Sequence, residues 1–246
     1  MALSTTPPKK PGAGALSNLQ SKVLNRETIS DQIYAQLCQS LSSGELAPGD
    51  RLSIRKISAI YGTSMMPVRE AVTRLVVNKA LEILPNKAVR VPVMSPESFR
   101  ELTTVRIHIE SFAAGRAALN RSSQDLEAIK SCEDKFRRSL TDSDKREALR
   151  ANKELHFAIY KASRLPTLVD IAETLWLRTG PTINLDLIWS GSKTSVQHHR
   201  RLVRAIADGD EQGAAKALAE DILGTANFIL NAGSSQARMK AKQRKT

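Results

Sequence analysis

The sequence predicts a mainly α-helical protein of two domains. A small N-terminal unit of three helices and a β-hairpin precedes a larger unit built from helices alone. Three observations carry this reading. Apolar residues recur at helical spacing over most of residues 28–231. Only two short runs, 81–84 and 88–92, have strand character, and Pro85, Asn86 and Lys87 separate them as a hairpin turn would. Hydrophobic residues make up 41% of the chain but aromatic residues only 4%, so Leu, Ala, Ile and Val must fill the core, which suits helix packed on helix.

The elements follow in order. Residues 1–25, rich in Pro, Ser, Gly and Lys, read as a flexible basic arm. Ile29, Ile33, Leu37 and Leu41 form one stripe of a first helix, which Ser43 and Gly44 end. Leu46 to Asp50, with Pro48 and Gly49, makes a sharp turn. Ser53 caps a second helix running to about Tyr61, with Ile54, Ile57 and Ile60 on one face, and Gly62 stops it. A third helix starts at Ser64 and runs to about Asn78, with Val68, Val72 and Leu75 inward. Two helices joined by the tight turn at Gly62 and Thr63, then a hairpin, are the order of a winged helix-turn-helix over residues 26–94. Ser95 as N-cap with Pro96 in the first turn starts the second domain, residues 95–232. Its expected helices are 96–119, 123–138, 143–163, 165–178, 181–190, 194–207 and 210–231, a bundle of six or seven. Residues 233–246 read as a basic tail.

Charge points to the partner. The chain carries 37 Lys and Arg against 25 Asp and Glu, a net +12, which favours a polyanion such as nucleic acid. The low aromatic content argues against a stacking platform for single strands. Cys38 and Cys132 lie within helical patterns and read as reduced core thiols of a cytoplasmic protein, with no ligand spacing around them for zinc. No apolar run approaches a membrane helix, so no membrane partner is expected. In a helix-turn-helix the start of the third helix enters the major groove, which makes Ser64, Met65, Met66, Pro67 and Arg69 the candidate readers. Arg55 near the start of the second helix is placed to meet the backbone, and Lys87 and Arg90 on the hairpin to reach the neighbouring groove. The competing reading is that Arg55, Arg69 and Arg74 only solvate helix faces.

Residues 28–94 resemble the DNA-binding domain of the GntR family, through the run from Gly44 to Leu52, the block from Pro67 to Ala71, Leu75 and the hairpin. The resemblance implies a transcriptional regulator, with Arg55, Ser64, Met65, Arg69, Asn86 and Lys87 at DNA-contact positions. Where the family usually has Arg after the serine, this chain has Met65, and it has Ala88 near the place of a wing-tip Gly. A lost guanidinium removes about 1–3 kcal/mol of base discrimination, so the operator of a relative does not transfer. Residues 98–231 are similar to the FCD effector domain of the FadR subgroup, through Val105, Arg106, Glu110, Ala113 and Ala114, the block from Asn152 to His156, and the run from His199 to Asp210.

That resemblance implies a dimer, a small organic-acid effector and a divalent metal such as zinc, nickel or manganese. The residues point the same way. Asn152 and His156 share a helix face. His199 and Asp221 each sit about 15–18 Å from the turn at Gly209 if two antiparallel helices meet there, which makes them neighbours. Two imidazoles, a carboxylate and an amide oxygen then converge as a candidate metal set. The family pattern has Asp at Asn152 and His at Asp221, so the site is either rearranged or decayed. His198 faces elsewhere. Arg106 is the candidate clamp for an effector carboxylate, or else half of an exposed pair with Glu110. Two further readings are a regulator of this fold with no metal and a divergent or absent effector, and, remotely, a metalloenzyme. The latter lacks a general base and leaves the first domain unexplained. A nucleoid-type protein without sequence preference is a fourth. No enzymatic activity is expected.

Overall fold

A computed structural model describes residues 28–85, 88–183 and 185–243, apart from the side chains of residues 145, 185–193 and 232–243. The expected arm at 1–25 and the hairpin tip, Asn86 and Lys87, lie outside the described residues.

The first domain is three helices and a three-stranded sheet. Helix α1 (Ile29–Ser42) starts at a capping box, Thr28 accepting from the Asp31 amide while Asp31 accepts from Thr28. Helices α2 (Ile54–Ile60) and α3 (Met65–Val77) flank a turn in which Gly62 takes φ +60°, a conformation that costs glycine nothing. Strands β1 (Arg51–Leu52), β2 (Glu82–Ile83) and β3 (Val89–Arg90) pair antiparallel in the order β1-β3-β2, with Leu52 opposite Val89 and Ile83 opposite Val89 from the other side. The first strand was not expected, because two residues beside a turn show no alternation to read. Ile33, Leu37, Leu41, Val68, Val72 and Leu75 are buried as the periodicity required. Ile29 and Ile60 are exposed instead, since each sits on a terminal turn beyond the reach of the core.

The second domain is helical throughout among the described residues: α4 (Pro96–Asn120), α5 (Ser123–Thr141), α6 (Lys145–Ala162), α7 (Pro166–Thr179), α8 (Leu185–Asp208) and α9 (Glu211–Gln243), with a 3₁₀ turn at Gly180–Thr182. Two corrections concern the end of the chain. The expected helices 181–190 and 194–207 are one helix, α8, running through Gly191 and Ser192. A single interior glycine costs a helix only about 1 kcal/mol, too little to break one held by its neighbours. Helix α9 continues to Gln243, so most of the residues read as a tail extend that helix.

Helices α4, α8 and α9 pack against one another, and α5, α6 and α7 close the bundle over a core of Ala113, Ala114, Ala117, Leu155, Tyr160, Leu202 and Leu218. The alanine face of α4 lets α9 approach closely. The domains meet where α1 packs on α7 and on the 3₁₀ turn. Leu177 of α7 is buried in the core of the first domain, while Trp176, one residue earlier, is buried in the core of the second.

Candidate DNA interface and metal centre

Helix α3 offers its first turn outward. Ser64 is the N-cap, but its hydroxyl makes no capping hydrogen bond, which leaves it free for an external partner. Pro67 stands in the first turn, where an amide proton has no helical acceptor to lose. Met65, Met66 and Arg69 are exposed while Val68 is buried, so the candidate readers share the outer face. Arg69 and Arg55 are exposed and make no ion pair among the described residues. Arg74 differs: it donates to Asp31 at 2.7 Å and lies 3.8 Å over the Tyr34 ring, fastening α3 to α1. Arg90 on the hairpin is also engaged, donating to Glu82 at 2.7 Å.

In the helical domain, His156 of α6, His199 of α8 and Asp221 of α9 are buried, with ligand atoms all within 4.8 Å of one another. The hairpin argument for His199 and Asp221 is met. Asn152 lines the same cavity, which holds about 30 Å³ and is also lined by Arg106, His156, Trp176 and Asp221. His198 lies apart, 3.7 Å from Glu220.

A chain of hydrogen bonds runs from this cluster into the bundle. Arg106 is buried and grips Glu110 with two bonds, Nε to Oε1 at 2.7 Å and a terminal nitrogen to Oε2 at 3.0 Å. The Arg106–Glu110 pair that stood as the alternative to an effector clamp is formed, but it is internal rather than exposed, and the carboxylate on Arg106 is the chain's own. Trp176 Nε1 donates to Glu110 Oε2 at 3.1 Å. Tyr160 donates its hydroxyl to the same oxygen at 2.5 Å. Burial, with the Glu110 charge beside it, pushes the Tyr160 phenol well above its usual range, so the proton stays on the phenol.

This chain assigns a tautomer. The Tyr160 proton goes to Glu110, so Tyr160 can only accept from His156, whose Nδ1 lies 2.9 Å away and must carry the proton. The Nε2 of His156 then faces Asp221 Oδ2 at 3.3 Å, close but not in hydrogen-bonding geometry. His199 Nε2 stands 3.6 Å from Asp221 Oδ1, and neither nitrogen of His199 has a hydrogen-bond partner. Burial alone would raise the Asp221 pKa, but His199 and His156 outweigh it and hold the carboxyl well below the usual carboxylate range. Two buried imidazoles, each with an Nε2 that has no hydrogen-bond partner, face one buried carboxylate, and this donor set fits a metal ion.

Sequence reasoning missed Tyr160 and Trp176. Tyr160 was within reach, being four residues after His156 on the same helix face. Trp176 was not, because only the fold brings α7 to α4.

Comparison with known proteins agrees with this architecture. Residues 29–91 match the domain described as "Bacterial regulatory proteins, gntR family", and residues 101–223 match the FCD domain. The chain is 28% identical to the HTH-type transcriptional regulator McbR of Escherichia coli over 213 residues, 85% of this chain and 93% of that one. It is 25% identical to the probable D-xylose utilization operon transcriptional repressor of Paenarthrobacter nicotinovorans, covering 82% of this chain and 89% of the other. The solved structure of E. coli McbR/YncC superposes with a TM-score of 0.76 at 28% identity, over 83% of this chain and 98% of that one. A putative transcriptional regulator GntR from Rhodococcus sp. RHA1 shares the fold, with a TM-score of 0.70 at 19% identity. These relatives are regulators rather than enzymes. No helix among the described residues is long and apolar enough to cross a membrane. With both domains matched in order, the chain belongs to the gntR family of bacterial regulatory proteins, as a transcriptional regulator of the type that joins a winged helix-turn-helix to an FCD domain.

Proposed function

We propose that this regulator binds a double-stranded operator as a homodimer and that ligands of the helical domain set its affinity. The observation that carries the DNA reading is the outer face of α3, where Ser64, Met65, Met66 and Arg69 stand exposed with no side-chain partner among the described residues. Met65 and Met66 suit the methyl group of thymine, Arg69 and Arg55 suit a guanine edge or phosphate, and by the resemblance Asn86 and Lys87, outside the described residues, are further contact positions. The homodimer is supported by α4, whose exposed face carries Val105, Phe112 and Leu119 at seven-residue spacing, a seam fitted to a second copy of itself.

His156, His199, Asp221 and the neighbouring Asn152 are the residues that would hold zinc, nickel or manganese. Such an ion would supply a fixed positive charge joining α6, α8 and α9. An effector, by the resemblance a small carboxylate, shifts the population between arrangements of the two reading heads. Gel-shift titrations with metal-loaded and chelated protein test the scheme. Operator affinity should change by several fold, and equal affinity in both states would remove the metal from the mechanism.

A second reading, in which the effector does not use Arg106, has its own support. Glu110 already occupies that guanidinium, and the adjoining cavity, at about 30 Å³, has room for an ion or one water but not for an organic acid.

A further inference from the structure

A cavity large enough for an organic ligand lies elsewhere. It is a cleft of about 1000 Å³ between α1 of the first domain and α5, α6 and α7 of the second. Its wall includes Tyr34 and Cys38 from α1, Cys132 from α5, Lys153 and Phe157 from α6, and Trp176 from α7. Phe157 and Trp176 are buried and lie edge to face, with ring centroids 5.6 Å apart. They supply an aromatic floor.

The charges divide into a spoken-for set and one that is not. Arg150 is taken by Glu147 and Glu154, and Asp125 by Arg164. Lys161, Asp170 and Glu173 are exposed at the mouth, where water solvates them. Lys153 is half-buried, has no ion-pair partner among the described residues, and stands 5.7 Å over the Phe157 ring.

We propose that this interdomain cleft is an effector site for a small aromatic monocarboxylate, with Lys153 taking the carboxylate and Phe157 and Trp176 the ring. Asp170 and Glu173 at the mouth select against dianions. The site rests on the reading of the protein as a ligand-responsive regulator, and it moves the effector contact from Arg106 to Lys153. Its position gives the ligand leverage. One wall is α1 of the reading head, and Trp176 on the other wall also touches His156 and Glu110. A ligand here bears on head and metal cluster together.

The protein carries its own reporters, since its two cysteines both line this cleft. Full-length, metal-loaded dimer is labelled with a thiol reagent in the presence of 1-naphthoate, the neutral amide 1-naphthamide, or the dianion phthalate. Naphthoate should slow labelling of Cys38 and Cys132, at concentrations at least about tenfold below those needed for the amide or for phthalate. Lys153→Met should erase the advantage of acid over amide. Equal protection by acid and amide, no protection by the acid, or protection indifferent to Lys153→Met would each overturn the site. The same samples are titrated against operator DNA. Naphthoate that alters operator affinity while leaving both thiols reactive refutes the cleft but leaves the ligand-responsive reading standing. Protection without any change in operator affinity supports the cleft as a binding site and refutes ligand control.

Discussion

Replacing Gly180 by Ala isolates the contact between the two domains. Gly180 follows α7 with helical dihedrals, so propensity alone favours alanine there by about 1 kcal/mol. Packing opposes this. A Cβ at Gly180 would lie 2.6 Å from the Leu41 carbonyl oxygen and 2.8 Å from Ser42 Cα, both backbone atoms of α1. Ordinary contact begins near 3.4 Å, so α1 must retreat by about 0.8 Å. Backbone cannot rotate aside as a side chain does, and Leu41 is fully buried, so the cost falls at the upper end of the roughly 1–3 kcal/mol typical of overpacking. The net expectation is a loss of about 1–2 kcal/mol, which at this chain length lowers Tm by roughly 2–8 °C. Gly224→Ala is the control. Its nearest neighbour would be His198 Nε2 at 3.8 Å, so this exchange, inside α9, should stabilise by about 0.4–1 kcal/mol. Thermal unfolding followed by circular dichroism reads both. A Gly180→Ala protein as stable as the parent, or more so, would show that α1 does not rest on the 3₁₀ turn and would sink the account of the domain contact.

Three further perturbations address the candidate sites. Arg69→Ala should weaken operator binding by about 1–3 kcal/mol and relax preference at one base pair, read by gel shift against an operator and its single-base variants. Uniform weakening across all sequences would instead assign Arg69 to phosphate. Tyr160→Phe leaves the His156 Nδ1–H without its acceptor and frees the ring to change tautomer. Zinc affinity by chelator competition should fall roughly 10–100-fold, and an unchanged affinity would exclude the assigned hydrogen-bond chain. Phe112→Glu puts a charge in the middle of the α4 seam, so light scattering should report monomer at micromolar concentration and operator affinity should drop. A dimer that survives intact would place the interface on another face.

Much of this was legible in the chain because local signals and tertiary demands agreed. Ser53, Ser95 and Pro96 mark helix starts in sequence and occupy those positions in the fold. The His199–Asp221 approach followed from counting residues either side of Gly209, since helix geometry converts sequence distance to length. The failures share a physical origin. Gly191 looked like a break because propensity is a weak term that neighbouring helices override. Glu110 was visible only as a helix neighbour of Arg106. Its burial, with Tyr160 and Trp176 converging on one oxygen, depends on α6 and α7 crossing α4, and no periodicity within α4 reports that. The interdomain cleft was equally hidden, because its walls come from four helices and two domains.

The adjacency of Trp176 and Leu177 limits how modular this protein is. Consecutive residues of one helix anchor two separate cores, so the reading head is seated on α7 as well as tethered at residues 93–95. A chimera that grafts a foreign head at that tether would keep the connection but empty the Leu177 seat. The graft should then bind its operator yet lose communication with the sensor, unless the surface that receives Leu177 is transplanted with it. The head and the helical domain of this protein should thus be exchangeable only as a matched pair.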